Sequence, residues 1–181
     1  MFIEYKLEGK FVSLRSVEES DAEFILNVRN DPRISKYLPP LNVTLEQQRE
    51  WISKQRADNE SYYFVLETPQ GNSIGTLSVY NIEGNHAESG RSCCIGEPYH
   101  SIEANTLLTD FTFKTLKLDY IIVWVYEDNK PVISLNQSLG CEWVEKKVDE
   151  GGKPFWLGVC KREKALEINE KIRKKLNKLH I

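Results

Sequence analysis

The chain has 181 residues, 40% hydrophobic and 28% charged. That suits one buried core and is too charged for a membrane-embedded protein. A net charge of −3 and a pI near 5.7 argue against nucleic acid or an anionic membrane as partner. No apolar run reaches the roughly 20 residues that a spanning helix needs. The start, Met1-Phe-Ile-Glu-Tyr-Lys6, has no secretory profile, so a cytoplasmic location is expected. Cys93, Cys94, Cys141 and Cys160 lack metal-ligand spacing, and are expected as small core thiols rather than disulfides or zinc ligands.

Phe11 to Val17 alternates as a strand does. Ser20-Asp-Ala-Glu23 predicts a capping box opening a helix to about Asn30, which Asp31-Pro32 ends. Pro39-Pro40 marks a loop, and Thr44-Leu-Glu-Gln47 predicts a second capped helix carrying Trp51 and Ile52. Tyr62–Glu67 and Ser73–Tyr80 read as strands joined around Gly71-Asn72. Glu88 to Ile95 is a further strand, and Ser101 to Leu116 is helical with a broad apolar side. Tyr120-Ile-Ile-Val-Trp-Val-Tyr126 reads as a strand buried on both faces. After Glu127-Asp128-Asn129, Asn129 is placed to cap a short helix, with Pro131 in its first turn and Gly140 as its stop. Cys141–Val148 and Pro154–Cys160 flank Gly151-Gly152 as a closing hairpin. From Arg162 a charged helix carries Leu166, Ile172, Leu176 and Leu179 on one stripe, as a docked or dimerising tail.

This order, with the Asp128-Asn129 turn and Leu139-Gly140, resembles the GNAT N-acetyltransferase superfamily over about residues 10 to 162. Residues 1–162 would form the acyltransferase domain and 163–181 a C-terminal helix. The resemblance implies an α/β (α+β) fold: a mixed central sheet of about seven strands flanked by helices. Leu14-Arg-Ser-Val17, Glu19-Ser-Asp-Ala22 and Val28-Arg-Asn-Asp-Pro32 are similar to two branches of that superfamily. One acetylates ribosomal-protein N-termini, and the other acetylates amino groups of nucleotide-linked sugars. Arg29-Asn-Asp-Pro32 followed by Glu46–Trp51 favours the sugar branch. The implied reaction moves acetyl from acetyl-CoA, with no metal, to a small-molecule primary amine. An amino sugar is the first choice of acceptor and a protein N-terminus the second. A GNAT-fold binding or regulatory module is the alternative, and a homodimer is possible in either case.

The resemblance also places the site. Pantetheine would pair with Cys93, Cys94 and Ile95, and the pyrophosphate would meet His100, Ser101, Ile102, Glu103, Ala104 and Asn105 at a helix start, where unpaired N–H groups favour an anion. The family's glycine-rich loop is missing: no glycine falls between Gly96 and Gly140, and Glu103 adds negative charge. Glu88 is the expected amine-side base, with His86 a weaker one. Asn136 stands where relatives carry a proton-donating Tyr, and Val132 where others carry Ser. Asn136 is the catalytic candidate there, as a hydrogen-bond donor to the sulfur or carbonyl; Tyr126 or a water is the substitute acid, or direct attack runs without a strong one. Asn129 is a cap that can also reach the pantetheine. Arg29, Asn30, Arg33, Tyr37 and Trp51 are the candidate acceptor contacts, since a guanidinium fork with aromatic neighbours suits a nucleotide.

Overall fold

The computed structural model describes residues 1–180. Its strands are β1 (Leu7–Glu8), β2 (Ser13–Ser16), β3 (Tyr62–Glu67), β4 (Ser73–Glu83), β5 (His86–Cys94), β6 (Tyr120–Tyr126), β7 (Glu142–Val148) and β8 (Pro154–Lys161). They form one mixed sheet in the order β1-β2-β3-β4-β5-β6-β8-β7. The helices are α1 (Ala22–Arg29), α2 (Pro32–Ser35), α3 (Leu45–Ala57), α4 (Pro98–Asp110), α5 (Lys130–Ser138) and α6 (Arg162–Asn177). The α/β class is as expected. The described strands exceed the expected seven because the two-residue β1 pairs with β2, through Leu7 opposite Leu14.

Neighbouring strands run antiparallel except β5 and β6, which the α4 crossover makes parallel. Alternation along β3 feeds two cores. Tyr63 and Val65 meet Ile25 of α1 and Ile52 of α3, whereas Phe64 and Leu66 meet Ala104 and Leu107 of α4. A third core joins Phe113, Ile121 and Val123 to Ala165 of α6. That last helix is docked within the chain: buried Asn169 donates to Thr106 O at 2.9 Å and to Asp110 Oδ1 at 2.7 Å.

Several local expectations shift. The first capping box is Glu18–Asp21 rather than Ser20–Glu23, because Asp21 accepts from Glu18 N–H and forks onto the Arg15 guanidinium, both bonds 2.7 Å. Asp31 ends α1 and caps α2, accepting from Arg33 N–H at 2.8 Å. The Thr44–Gln47 box forms as expected. Gly140 stops α5 at φ +93°, in the left-handed region that glycine reaches without penalty. Cys141 and Cys160 do not stand apart as core thiols. The register of β7 and β8 sets them face to face, Cα atoms 4.1 Å apart, as a disulfide pair.

Helix α4 begins at Pro98, three residues before the expected Ser101, because Glu97 serves as its N-cap and Pro98 occupies its first position. The shift turns Glu103 away from any phosphate seat. Its carboxylate is buried and accepts the N–H groups of Lys10, Phe11 and Val12 at 2.8, 2.6 and 2.8 Å. One side chain thereby fixes the turn between β1 and β2 against α4. Glu103→Ala should leave those three donors unsatisfied and cost about 3 kcal/mol. For a chain of this length that lowers Tm by roughly 6–12 °C. Glu103→Gln, which keeps one acceptor oxygen, should lose less. Thermal unfolding of both variants checks this, and a wild-type Tm for Glu103→Ala would refute it.

Candidate active site

Where β5 and β6 part, the sheet opens. They pair only from His86 opposite Tyr120 to Ser89 opposite Val123. Beyond that point β5 carries a bulge: its register against β4 slips between Thr76 and Ser78, and Arg91 takes φ +50°. A bulge bends its strand, so Gly90–Cys94 swing away from Trp124–Tyr126 and keep a backbone edge unpaired by β6. The resulting cleft of about 540 Å³ has Cys93, Cys94, Gly96, Ser101 and Asn105 on one wall and Asn129, Val132, Leu135 and Asn136 on the other.

The cleft wall fits an extended, amide-bearing chain lying along β5, as an added strand would. The helix start is a poorer anion seat than expected. Pro98 has no N–H, the Glu97 N–H is spent on His100 Nδ1 at 3.0 Å, and the His100 N–H is spent on Glu97 O at 3.0 Å. Nε2 is then the donor nitrogen of the His100 ring. Asn105 Nδ2 donates back to Ser101 O at 2.8 Å. Ala104 is buried in the core with Glu103, and of the segment Ser101 to Asn105 only Ser101 and Asn105 line the cleft. Ile95 is exposed, and its N–H bonds Ile74 O across the β4 edge. Cys93 is buried, its Sγ 3.1 Å from Thr76 Oγ1, and burial raises its thiol pKa. Burial does the same to Cys94.

Asn129 does not cap α5 through its side chain. Its backbone carbonyl accepts from Ile133 N–H at 3.0 Å, and the side chain is left on the cleft wall. Asn136 Nδ2 is committed to Val132 O at 2.9 Å within the helix. Tyr126 donates its hydroxyl proton to Asp149 Oδ2 at 2.9 Å, and that carboxylate holds the phenol pKa above its usual value. The Tyr126 proton is thus engaged, and Asn136, which keeps its second amide N–H for a hydrogen bond, has no acidic proton to give a departing thiolate.

The face of the sheet under α1 and α3 gathers a second set of groups. Glu88 lies opposite Tyr80 across β4–β5, one residue before the strands part, and accepts from Asn81 Nδ2 at 3.0 Å. Asn81 itself sits in a bulge at φ +50°. Tyr80, not Glu88, lines the cleft, and a Cβ on Gly90 would meet the Tyr80 hydroxyl at 2.9 Å. Burial raises the Tyr80 pKa, with Glu88 adding to the shift and Arg91 opposing it. The Arg91 guanidinium lies 4.4 Å from the Tyr80 ring centroid and 5.4 Å from that of Trp51. His86, farther back, stacks on Tyr120 at 5.0 Å.

The expected acceptor contacts divide. Arg29 Nη2 donates to Pro39 O at 2.9 Å, and Asn30 exchanges two bonds with the Leu41 backbone, so both brace the loop after α2. Tyr37 and Arg33 line the cleft, with the Tyr37 hydroxyl donating to Asp128 O at 3.0 Å and Arg33 paired to Asp31. Trp51 reaches the cleft through Arg91. Tyr80, Asn81, Arg91 and Trp124 were not anticipated. The available signal was a charged residue, Arg91, after a glycine inside a strand of small residues. Among the described residues no cluster of His, Cys, Asp or Glu is arranged to hold a metal, and no helix is long and apolar enough to cross a membrane.

Known proteins share this frame. The family described as "Acetyltransferase (GNAT) domain" matches residues 12–142. The spermidine N(1)-acetyltransferase of Vibrio cholerae serotype O1 is 28% identical over 135 residues, covering 71% of this chain and 78% of that protein. Acetyltransferase PseH of Campylobacter jejuni is 21% identical over 131 residues, covering 71% and 81%. Apo FdhC, described as a nucleotide-linked sugar GNAT, superposes with a TM-score of 0.83 at 23% identity, over 96% of this chain and 99% of that one. The Vibrio cholerae spermidine N-acetyltransferase in complex with CoA and spermine gives 0.77 at 23% identity, over 87% and 99%. The family match runs through most of the chain and includes both strands of the cleft. The chain belongs to the GNAT acetyltransferase family and is an acyltransferase.

Proposed function

We propose that the protein transfers acetyl from acetyl-CoA to the primary amine of an amino sugar, nucleotide-linked in the first instance. The observation that carries this reading is the meeting of Glu88, Tyr80, Arg91 and Trp51 on one face of the sheet, beside the unpaired edge of β5. Acetyl-CoA supplies an acyl group activated as a thioester. Backbone groups of Gly90–Cys94 would hold its extended arm, and Asn129 and Ser101 offer side-chain polar atoms on either wall. The phosphates would meet few free amides at the start of α4, so binding rests mainly on the arm.

The acceptor amine must lose a proton to attack. Glu88 is the base of this reading, set one step behind Tyr80 and reaching the amine through water. Asn81 orients its carboxylate. Tyr37, Trp124 and Tyr126 on the cleft wall offer stacking surfaces, with Lys153 Nζ 4.0 Å from the Tyr126 ring centroid. Aromatic faces with nearby cations suit a base and its phosphates. A polyamine would need carboxylates instead, and among the described lining residues the charged ones are Arg33, Arg91 and Glu97.

Thermal shift with CoA, acetyl-CoA and ATP tests the cofactor reading: the first two should raise Tm and ATP should not. No response to any of the three would defeat it. Glu88→Gln should lower turnover by about 10²–10⁴-fold with CoA affinity intact; unchanged turnover would make Glu88 a solvated strand residue. Asn136→Ala should cost less than about tenfold, because an amide can orient the thioester through its one remaining N–H but cannot supply a proton. Loss of transfer with CoA still bound would show that Asn136 acts in proton supply or thioester orientation.

A further inference from the structure

Arg91 has three properties that a structural role does not account for together. It occupies φ +50°, a conformation that non-glycine residues seldom adopt. The bulge is pinned from below, where buried Thr76 donates its hydroxyl to Arg91 O at 3.0 Å. The side chain is thereby delivered to the cleft, between the Tyr80 and Trp51 rings. Rings attract the flat faces of a guanidinium, leaving its rim of N–H donors for a fork onto an oxyanion. Among the described residues, Arg15, Arg33, Arg162 and Arg173 each pair with an aspartate, and Arg29 and Arg56 donate to backbone carbonyls. Arg91 forms no ion pair among them, and Asp58 is the carboxylate that feels its charge at longer range. A partly buried cation with unspent donors is costly until an anion meets it.

Its position sets the kind of anion. Arg91 lies three residues beyond Glu88, at most about 10 Å along an extended strand and less across a bulge. An amine brought to the point where β5 and β6 part would put a phosphate on the same sugar ring within reach of Arg91. The start of α4, by contrast, follows the far end of β5, beyond Cys94.

We propose that Arg91 is the specificity-determining residue of the acceptor site, its guanidinium reading a phosphate carried by the amino sugar and disfavouring neutral and polycationic amines. This rests on the amino-sugar reading above. The test compares glucosamine, glucosamine 1-phosphate, UDP-glucosamine and spermidine as acceptors for the wild type, Arg91→Gln and Arg91→Lys. The wild type should show kcat/KM at least about tenfold higher for glucosamine 1-phosphate than for glucosamine, and lower still for spermidine. In Arg91→Gln the phosphate-to-neutral ratio should fall toward one, with Arg91→Lys intermediate because it keeps charge but loses the fork. Calorimetry should show glucosamine 1-phosphate binding weakened about tenfold or more in Arg91→Gln while CoA affinity holds. UDP-glucosamine outperforming the 1-phosphate would locate the phosphate in a nucleotide diphosphate; the reverse order would locate it in a sugar phosphate.

A ratio unchanged in Arg91→Gln, with both acceptors slowed alike, would mean that Arg91 only braces the bulge, and overturns the proposal. A wild type that acetylates glucosamine without preferring the phosphorylated form overturns this proposal alone. A wild type that neither binds nor acetylates any of the amino sugars overturns the amino-sugar reading with it.

Discussion

The site depends on a pair of strands that stops pairing. A parallel pair continued to the ends of β5 and β6 would leave a closed sheet with no cleft. The hydrogen bonds forgone after Ser89 and Val123 are the opening. The cause lies on the other side of β5, in an extra residue against β4 that bends the strand and rotates Arg91 out of the alternating row. One local distortion therefore leaves a backbone edge unpaired and also presents a guanidinium to the cleft. The cost of the positive φ is offset by Thr76, whose hydroxyl meets the Arg91 carbonyl from a fully buried position.

A distortion of that kind persists only in a rigid frame. Arg15 forks onto Asp21 and ties β2 to the start of α1. Glu103 holds the turn between β1 and β2 against α4, and Asn169 fastens α6 to the same helix. These buried polar contacts are directional, so they fix how the helices sit on the sheet where apolar packing alone would permit sliding. The carboxylates of Asp21 and Glu103 are thus part of the frame around the cleft.

Element type and order were legible because they follow from periodicity and caps. Tyr120–Tyr126 formed its strand and Thr44-x-x-Gln47 opened its helix as read, although the strand is buried on one face only, through Ile121, Val123 and Val125, with Trp124 exposed on the other. The bulges were not legible: a slip of one residue against β4 leaves no trace in composition, and Arg91 and Asn81 went unremarked. The start of α4 was misplaced by three residues because Glu97-Pro98 is a weaker written signal than Ser101. That error put Glu103 at a phosphate seat when its helical position sends it into the core. For Arg29 and Asn30 the residue type suggested ligand contacts, whereas unpaired backbone groups of the loop at Pro39 and Leu41 claimed them first.

The two ends of the cleft differ in how they can hold a ligand. At the start of α4 Pro98 has no N–H, the N–H groups of Glu97 and His100 are spent on each other's residues, and an acid stands at the cap. At the end nearer Glu88 the Arg91 guanidinium lies between two rings without an ion-pair partner among the described residues. Anion recognition by this fold usually belongs to the helix start, where the dipole and free amides act together. Here the stronger offer to an anion comes from a side chain on β5. The extended arm of acetyl-CoA would be gripped mainly through backbone, which discriminates little among acyl carriers, and selection would fall to the acceptor. On the reading proposed above, such a site would gain its chemical selectivity from the same bulged residue that marks the opening of the sheet.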